Sequence, residues 1–361
     1  MLRTSYNRFF PTPYFLEMPS FGFDISDESL KFVKLYSTKN GIRISKYGER
    51  KIPAGVIESG KILDTKKFED LLSAIKKEED VKAVRVSLLE SQIYLFKLYL
   101  EKEGLRNIRE SIELSLEDHI PIPAGEAVFD YDFIEEDDKG FELQVAAIPS
   151  NVVDAYLGVF KNCGISVHSL ELEAQAIARA IIKKGDMDTY MIVDFGEKRT
   201  GIFIVSRGIP MFTSTLDIGG SSLTSMIEKN FNINTEEAEK MKRKYGLQRN
   251  TVNKELFSVL LNSVSILRDE IAKHFVYWNT HQDEEGKTNP LIKKIILCGG
   301  DSNLIGLADY FAISLKTEVV KANVWVNIIE DLEKNIPHVD FKQALSFAAA
   351  IGLALGDFEH D

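Results

Sequence analysis

Three short segments, far apart along this chain, share a pattern in which an apolar run leads into a polar turn. They are residues 21–31, 191–201 and 295–303. In the first two, Asp24 and Asp194 end the apolar run and a second apolar run follows. This predicts a hairpin whose turn amides face a phosphate while its carboxylate holds a magnesium ion, directly or through water. In the third, the run breaks at Gly299-Gly300 before a polar helix start, where a nucleoside can approach the backbone closely. Together the three segments predict one nucleotide cleft.

The second half of the chain repeats the order of elements in the first half. Apolar runs predict three consecutive strands in each half, at 21–25, 30–37 and 42–51 and again at 190–195, 200–206 and 209–215. A turn at Lys39-Asn40 separates the second and third strands. Three cleft segments in this order resemble the actin-like ATPase superfamily. The resemblance implies an α/β fold in which two duplicated, ribonuclease H-like domains surround a shared nucleotide cleft.

The pattern changes between about residues 84 and 168. The order there is strand, strand, helix, strand, strand, helix, strand, which predicts a small α+β insert. Its first helix places Ile112 and Leu116 on one face and stops at Pro121-Ile122-Pro123. The acidic run at 135–140 joins two strands and is typical of a solvated hairpin tip.

Composition excludes several classes of protein. A net charge of −11 and a pI near 5.2 disfavour nucleic acid as a partner. Two cysteines, Cys163 and Cys298, cannot form a CxxC motif and indicate a reducing compartment. The first residues, 1–19, lack the apolar core of a secretory signal, and the longest small-apolar stretch, 344–356, is too short to span a bilayer. We therefore expect a soluble, cytoplasmic protein.

Several motifs resemble a narrower family, the PilM proteins of type IV pilus assembly, which are relatives of the division protein FtsA. The resemblance runs from about Pro19 to the end of the chain. Its pieces are 22–25 with Lys31, 116–123, 129–131, Glu173 with Ala178-Arg179, 194–196 with Thr200, Gly219-Gly220 with Leu223-Thr224, Ala238-Glu239 with Lys242, and Gly299-Gly300 with Gly306-Leu307. The segment 120–123 belongs to the insert and separates pilus-type members from chaperone and sugar-kinase relatives.

The resemblance implies ATP and Mg²⁺ as cofactors and names a set of candidate binding residues. These are Asp24, Ser26, Ser29, Lys31, Asp194, Gly196, Thr200, Gly219, Gly220, Glu239, Lys242, Gly299, Gly300 and Asn303. Asp24 and Asp194 would hold the magnesium ion, directly or through water. The alternative for each aspartate is a cap on its hairpin turn.

For two further groups of residues the sequence allows both a functional and a structural role. Glu173 lies at a strand-to-helix junction, where it would act with Asp194 in catalysis by positioning an attacking water, or would simply favour the helix start. Glu239 and Lys242 are three residues apart on one helix, where they would bracket a ribose or adenine, or form a surface salt bridge.

The chain departs from the family pattern at two places in the cleft. Ser26-Asp27-Glu28 stands where the family has Gly-Ser-Ser, and Asp301 stands where a third glycine is common. Two added negative charges beside a triphosphate are unfavourable unless they turn away or bind metal. We therefore expect weak or structural ATP binding and, at most, slow hydrolysis.

The resemblance also divides the chain into subdomains. They are 1A at 20–83 and 169–188, the SHS2-like insert or 1C at 84–168, 2A at 189–231 and 291–340, 2B at 232–290, and a closing helix at 341–361 that returns to 1A.

The function implied is that of an assembly scaffold at the cytoplasmic face of the inner membrane. Its expected partner is the short cytoplasmic N-terminal peptide of a PilN-like membrane protein, docked as an added strand or in a groove beside the insert's sheet. Other pilus platform proteins, the assembly ATPase and a second copy of the chain are further expected partners.

Two alternative functions find less support in the sequence. An FtsA-like division tether carries a C-terminal amphipathic helix, whereas residues 356–361 are acidic and lack basic side chains. A sugar or acetate kinase on the same fold requires a catalytic aspartate in a sugar-binding insert, and no such candidate stands out.

Overall fold

A computed structural model describes residues 19–38, 41–103, 105, 107–248, 253–281, 288–329 and 339–358. The turn expected at Lys39-Asn40, the start of the chain before Pro19 and its last three residues lie outside the described residues. The strands are β1 (Phe21–Ile25), β2 (Ser29–Thr38), β3 (Gly41–Lys51), β4 (Ile57–Glu58), β5 (Lys61–Ile62), β6 (Ala83–Leu88), β7 (Tyr94–Glu101), β8 (Ala127–Glu136), β9 (Gly140–Pro149), β10 (Ser166–Leu172), β11 (Thr189–Phe195), β12 (Thr200–Ser206), β13 (Ile209–Leu216), β14 (Ile292–Cys298) and β15 (Val319–Lys321). The helices are α1 (Thr65–Glu79), α2 (Ile108–His119), α3 (Ser150–Asn162), α4 (Glu173–Ile181), α5 (Gly220–Phe231), α6 (Thr235–Tyr245), α7 (Lys254–Thr280), α8 (Leu307–Leu315), α9 (Phe341–Ala344) and α10 (Ala348–Leu355).

Two five-stranded sheets share one topology. Their orders are β3-β2-β1-β6-β10 and β13-β12-β11-β14-β15. In each, the first three strands pair antiparallel and the last two join in parallel. β1 therefore corresponds to β11, and β6 to β14. The duplicated α/β fold predicted from the sequence is confirmed.

The central strands are apolar because both of their faces are covered. All five residues of β1 are buried, and so are all but one of β11. Parallel strands between two helical layers have this continuous apolar character. Phe21, Phe23 and Phe32 fill the core of the first sheet, and Met191 and Val193 that of the second.

The closing helix α10 packs against the first sheet at very short range. A Cβ on Gly22 would lie 2.1 Å from the carbonyl oxygen of Ala350, and one on Gly352 would lie 1.6 Å from that of Ala176. Glycine at both positions lets β1, α4 and α10 approach closely. Every residue of α10 is buried, which fits its apolar sequence.

The inserted sheet covers a shorter stretch of the chain than the residues 84–168 expected from the sequence. Its strands have the order β7-β9-β8 and extend from Tyr94 to Pro149. The helix α2 covers one face of this sheet with Ile112 and Leu116. β6 and β10 instead belong to the first five-stranded sheet, because β6 pairs in parallel with β1 and β10 with β6. The buried face of α3 also packs into the core of that sheet.

The second half carries α5, α6, α7 and α8 against its sheet. Leu223, Ala238, Leu260 and Phe311 join these helices to the core around β11. Among the helices of the described residues, none combines the length and the apolar character that a membrane span requires.

Candidate functional site

The ends of the central strands border a cavity of about 750 Å³ between the two halves. Asp24 stands one residue before the end of β1, and Asp194 one residue before the end of β11. In each sheet the residues that follow the parallel strands lie at one edge, β1 with β6 in the first sheet and β11 with β14 in the second, and residues of all three predicted segments line the cavity. The structure therefore brings the three predicted segments together.

Asp24 and Lys31 form the first charged centre of this cavity. They are directly opposite each other in the β1–β2 ladder. The Ser87 hydroxyl donates to Asp24 Oδ1 at 3.1 Å. Burial raises the pKa of Asp24, and the nearby Lys31 ammonium opposes that rise. Burial also lowers the pKa of Lys31, but Asp24 and Glu49 outweigh it, so that the pKa of Lys31 is raised.

Asp194 is the matching carboxyl group of the second half. Burial raises its pKa to about 6, and the charge on Asp24 adds to that rise. Gly299 has a φ of +85°, and a Cβ there would lie 2.6 Å from Asp194 Oδ1. Only glycine combines that backbone conformation with such a close approach, which explains the break in the third segment.

Glu173 meets a second carboxyl group that the sequence analysis missed. Glu90 lies in the 3₁₀ turn Glu90–Gln92 and accepts the backbone N–H of Ala174 at 2.7 Å. Burial raises the pKa of Glu90 to about 7. Burial, then the charge on Glu90, raises the pKa of Glu173 well above its ordinary value. The available signal was the position of Glu90 just after a buried strand parallel to β1.

The turn of the first hairpin is organised by its own serine. Ser26 Oγ accepts the backbone N–H of Ser29 at 3.1 Å and donates to the Ser29 carbonyl. Both serines line the cavity. Asp27 also lines the cavity, and its carboxylate accepts the backbone N–H groups of Ser59 and Gly60.

Lys242 anchors the other end of the cleft. Its side chain is 3% exposed, and its ammonium donates to the Gly220 carbonyl at 3.0 Å and to Asp301 Oδ1 at 2.8 Å. Glu239 Oε2 lies 2.8 Å from the same ammonium. The salt bridge considered from the sequence is therefore present, but its lysine is buried, and the pair is part of a larger network that includes Asp301.

The charges of this network stabilise each other. Burial raises the pKa of Glu239, but hydrogen bonds from Lys242, Arg243 and Thr224 outweigh it and hold that pKa at about 2. Burial raises the pKa of Asp301, against the lowering effect of Lys242. A Cβ on Gly220 would lie 2.0 Å from Asp301 Cγ, so the Asp301 carboxyl rests directly on the start of α5.

Not every predicted residue reaches the cavity surface. Asp24, Ser26, Ser29, Lys31, Glu173, Asp194, Gly196, Lys242, Gly299, Gly300 and Asn303 line it. Thr200, Gly219, Gly220 and Glu239 are not among the lining residues. The Thr200 hydroxyl donates to the Ile218 carbonyl at 2.6 Å, which gives it a structural partner.

A magnesium ion fits this site only in a particular way. Within the described parts of the chain, no three His, Cys, Asp or Glu side chains are grouped closely enough to hold a metal by themselves. Asp24 and Asp194 supply two oxygen ligand groups. Mg²⁺ commonly binds through one or two carboxylates, retained waters and substrate phosphates, so the donor set fits a hydrated ion that arrives with its phosphate.

A family described as type IV pilus assembly protein PilM matches residues 22–358. The chain belongs to the PilM family. The family predicted from the sequence is therefore confirmed, and the family match favours a pilus protein over the division tether considered as the alternative.

Solved structures with the same fold extend beyond the PilM family. A PilM–PilN type IV pilus biogenesis complex matches 96% of this chain and 100% of its own chain at 21% identity and a TM-score of 0.76. The ethanolamine utilization protein EutJ from Carboxydothermus hydrogenoformans matches 96% and 90% at 16% identity, with a TM-score of 0.53. MreB5 of Spiroplasma citri bound to AMPPNP matches 86% and 94% at 15% identity, with a TM-score of 0.51. These similarities confirm the actin-like fold.

Proposed function

We propose that this protein is an actin-like scaffold of type IV pilus assembly that binds Mg·ATP weakly and recruits a PilN-like membrane protein through a short cytoplasmic peptide. The observation that carries the proposal is the family match over residues 22–358, together with a cleft that retains both phosphate-side aspartates. Recruitment would place the protein at the cytoplasmic face of the inner membrane.

Nucleotide binding is supported by the convergence of Asp24, Lys31, Asp194 and Gly299 on one cavity. MreB5, which shares the fold, is bound to AMPPNP in its structure. Weak binding is expected because ten carboxyl groups but only six Lys and Arg side chains line the cavity. A polyphosphate entering such a site needs Mg²⁺ to offset the repulsion.

Slow turnover follows from the state of Glu173. Burial raises the pKa of Glu173 well above its ordinary value and so favours the protonated carboxyl group, which does not accept the proton of an attacking water. Asp194, with a pKa of about 6, is mainly charged there and remains available to the metal.

Titration calorimetry with Mg·ATP tests the nucleotide part. We expect Asp194→Ala to abolish binding, because it removes the metal-side carboxylate. Asp309→Ala is the matched control, since Asp309 is an exposed carboxylate on α8 outside the cavity lining. Unchanged affinity in Asp194→Ala would remove the assignment of this cleft.

The peptide site is proposed at β8. This strand is an edge of the inserted sheet, and no strand of the described residues pairs with its outer side. Phe133 and Val128 on it are 50% and 43% exposed. An extended peptide can add to such an edge by main-chain hydrogen bonds and use neighbouring apolar side chains for selectivity. The resemblance to the PilM of a PilM–PilN complex supports a PilN-like occupant.

Point variants test this site better than deletion of residues 84–168, because that deletion would remove most of β6 and part of β10 from the first sheet. The probe is the synthetic cytoplasmic N-terminal peptide of the PilN-like protein from the same pilus system, measured by fluorescence anisotropy. We expect Phe133→Asp to weaken its binding about tenfold or more, a loss of roughly 1.4 kcal/mol or more. Leu114→Asp is the control and should bind normally, because Leu114 on α2 is 82% exposed. Equal binding by both variants would move the site to the groove beside the sheet.

We also predict contacts with further platform proteins of the pilus, with the assembly ATPase and with a second copy of the chain.

A further inference from the structure

The turns of the two phosphate-side hairpins are joined by two ion pairs across the cleft. Arg199, between β11 and β12, contacts the Asp27 carboxylate between β1 and β2. Lys198 Nζ lies 2.7 Å from Glu28 Oε1. All four side chains line the cavity that holds Asp24 and Asp194. Both carboxylates belong to the segment where this chain departs from its family, and both find a cation on the opposite hairpin.

The two ion pairs differ in how firmly they are held. Asp27 also accepts backbone N–H groups from Ser59 at 3.0 Å and Gly60 at 3.1 Å, and its side chain is only 12% exposed. Arg199 adds a contact to the Ser59 hydroxyl at 3.3 Å. Removing Asp27 would leave the Arg199 guanidinium and the N–H groups of Ser59 and Gly60 without this acceptor. The Asp27–Arg199 pair is therefore a fixed link between the two halves.

In the Glu28–Lys198 ion pair, another anion can replace the carboxylate. Its side chains are 28% and 52% exposed. In the described part of the chain, the Glu28 carboxylate has one charged partner, the Lys198 ammonium. An exposed pair of this kind is worth little by itself. A more highly charged anion entering the cavity can compete for the ammonium.

We propose that Lys198 binds the terminal phosphate of a polyphosphate ligand. In the absence of such a ligand the Lys198 ammonium pairs with the Glu28 carboxylate, which the entering phosphate displaces. The ligand class is a magnesium-bound polyphosphate, as a nucleoside triphosphate or as the free inorganic anion. The proposal rests on the nucleotide cleft described above. It makes Glu28 a competitor of the ligand, so that its charge lowers affinity while the charge of Lys198 raises it.

Calorimetric titration with magnesium tripolyphosphate and with Mg·ATP separates these effects. The proteins are the full chain, Glu28→Gln and Lys198→Gln, with Glu236→Gln as control. Glu236 also pairs with a lysine, at 2.6 Å from Lys240, but on an exposed face outside the cavity. We expect Glu28→Gln to bind both ligands about fivefold or more tightly, or roughly 1 kcal/mol. Lys198→Gln should bind them about fivefold or more weakly, and Glu236→Gln should match the wild type. Thermal melting checks that each variant is folded.

The outcomes distinguish this proposal from the nucleotide function. If Mg·ATP binds the wild type and Glu28→Gln with equal affinity, the Lys198 site is refuted while nucleotide binding stands. If tripolyphosphate follows the expected order and ATP binds to none of the proteins, the phosphate site stands and the nucleotide function fails. If neither ligand binds any of them, Lys198 takes no phosphate and the proposal is overturned.

Discussion

The carboxyl groups of Glu90 and Glu173 share a hydrogen bond inside the cleft, although one follows β6 and the other begins α4. Two buried carboxylates in contact cannot both be charged without a large repulsion. Burial raises the pKa of both groups, that of Glu90 to about 7. The charge on Glu90 raises the pKa of Glu173 further, whereas the hydrogen bond from Glu173 lowers that of Glu90 without cancelling the effect of burial. Both net shifts favour a proton on the pair.

The first prediction concerns stability against pH. The pKa of Glu90 rises from 4.5 to about 7 on folding, so the native state holds a proton that the unfolded chain has lost. Its stabilising contribution is complete below pH 4.5 and is lost as the pH rises through about 7. Glu90→Gln keeps an acceptor for the Ala174 N–H and removes the charge. Urea unfolding should show this variant more stable by roughly 1–3 kcal/mol at alkaline pH, with a smaller advantage in acid. A constant difference across the range would contradict the shared proton.

The second prediction concerns the pH dependence of Mg·ATP binding. A proton on Asp194 competes with the metal, and this carboxyl titrates with a pKa of about 6. We expect affinity to fall as the pH drops through that value, by up to about tenfold per pH unit. With EDTA in place of magnesium the sign should reverse, because a charged Asp194 then repels the phosphates. Calorimetry in both buffers checks this; the same slope with and without the metal would show that Asp194 does not face it.

The third prediction tests the packing of the closing helix. Gly352→Ala places a Cβ 1.6 Å from the Ala176 carbonyl oxygen, so α10 must shift away from α4. We expect a loss of roughly 3 kcal/mol or more in the free energy of unfolding. Gly158→Ala, inside α3 with no atom within 4 Å of the new Cβ, is the control and should gain roughly 0.5–1 kcal/mol. Chemical denaturation of both variants decides; a tolerated Gly352→Ala would mean that α10 is not held at this distance.

The fourth prediction concerns a buried amide in the inserted sheet. Gln144 on β9 is 3% exposed, and neither its carboxamide nitrogen nor its oxygen has a hydrogen-bond partner among the described residues. Gln144→Leu should therefore raise the free energy of unfolding by about 1 kcal/mol. The control is Gln92→Leu, which removes a hydrogen bond of 2.9 Å to the Ser59 carbonyl and should not stabilise the protein. Destabilisation by Gln144→Leu would show that its amide is satisfied in solution.

Much of the fold could be predicted because its signals are local. A strand buried on both faces must be apolar, so β1, β11 and β14 stand out as apolar runs, and a charged residue at the end of such a run marks the turn. The Asp24 and Asp194 hairpins and the Gly299-Gly300 break were found in this way. The same reasoning assigned β6 and β10 to the insert, because a strand's own residues do not state which strand it pairs with.

The sequence by itself determined where the strands end and which polar groups stand there, since burial and backbone conformation restrict the residue types at each position. Only the tertiary structure decided which of these groups meet. Glu90 reaches Glu173, and Glu28 reaches Lys198, through parallel pairing and the closure of the two halves. Such contacts join residues that are distant in the chain. Their pKa values and charges depend on distance and burial, which no local pattern contains.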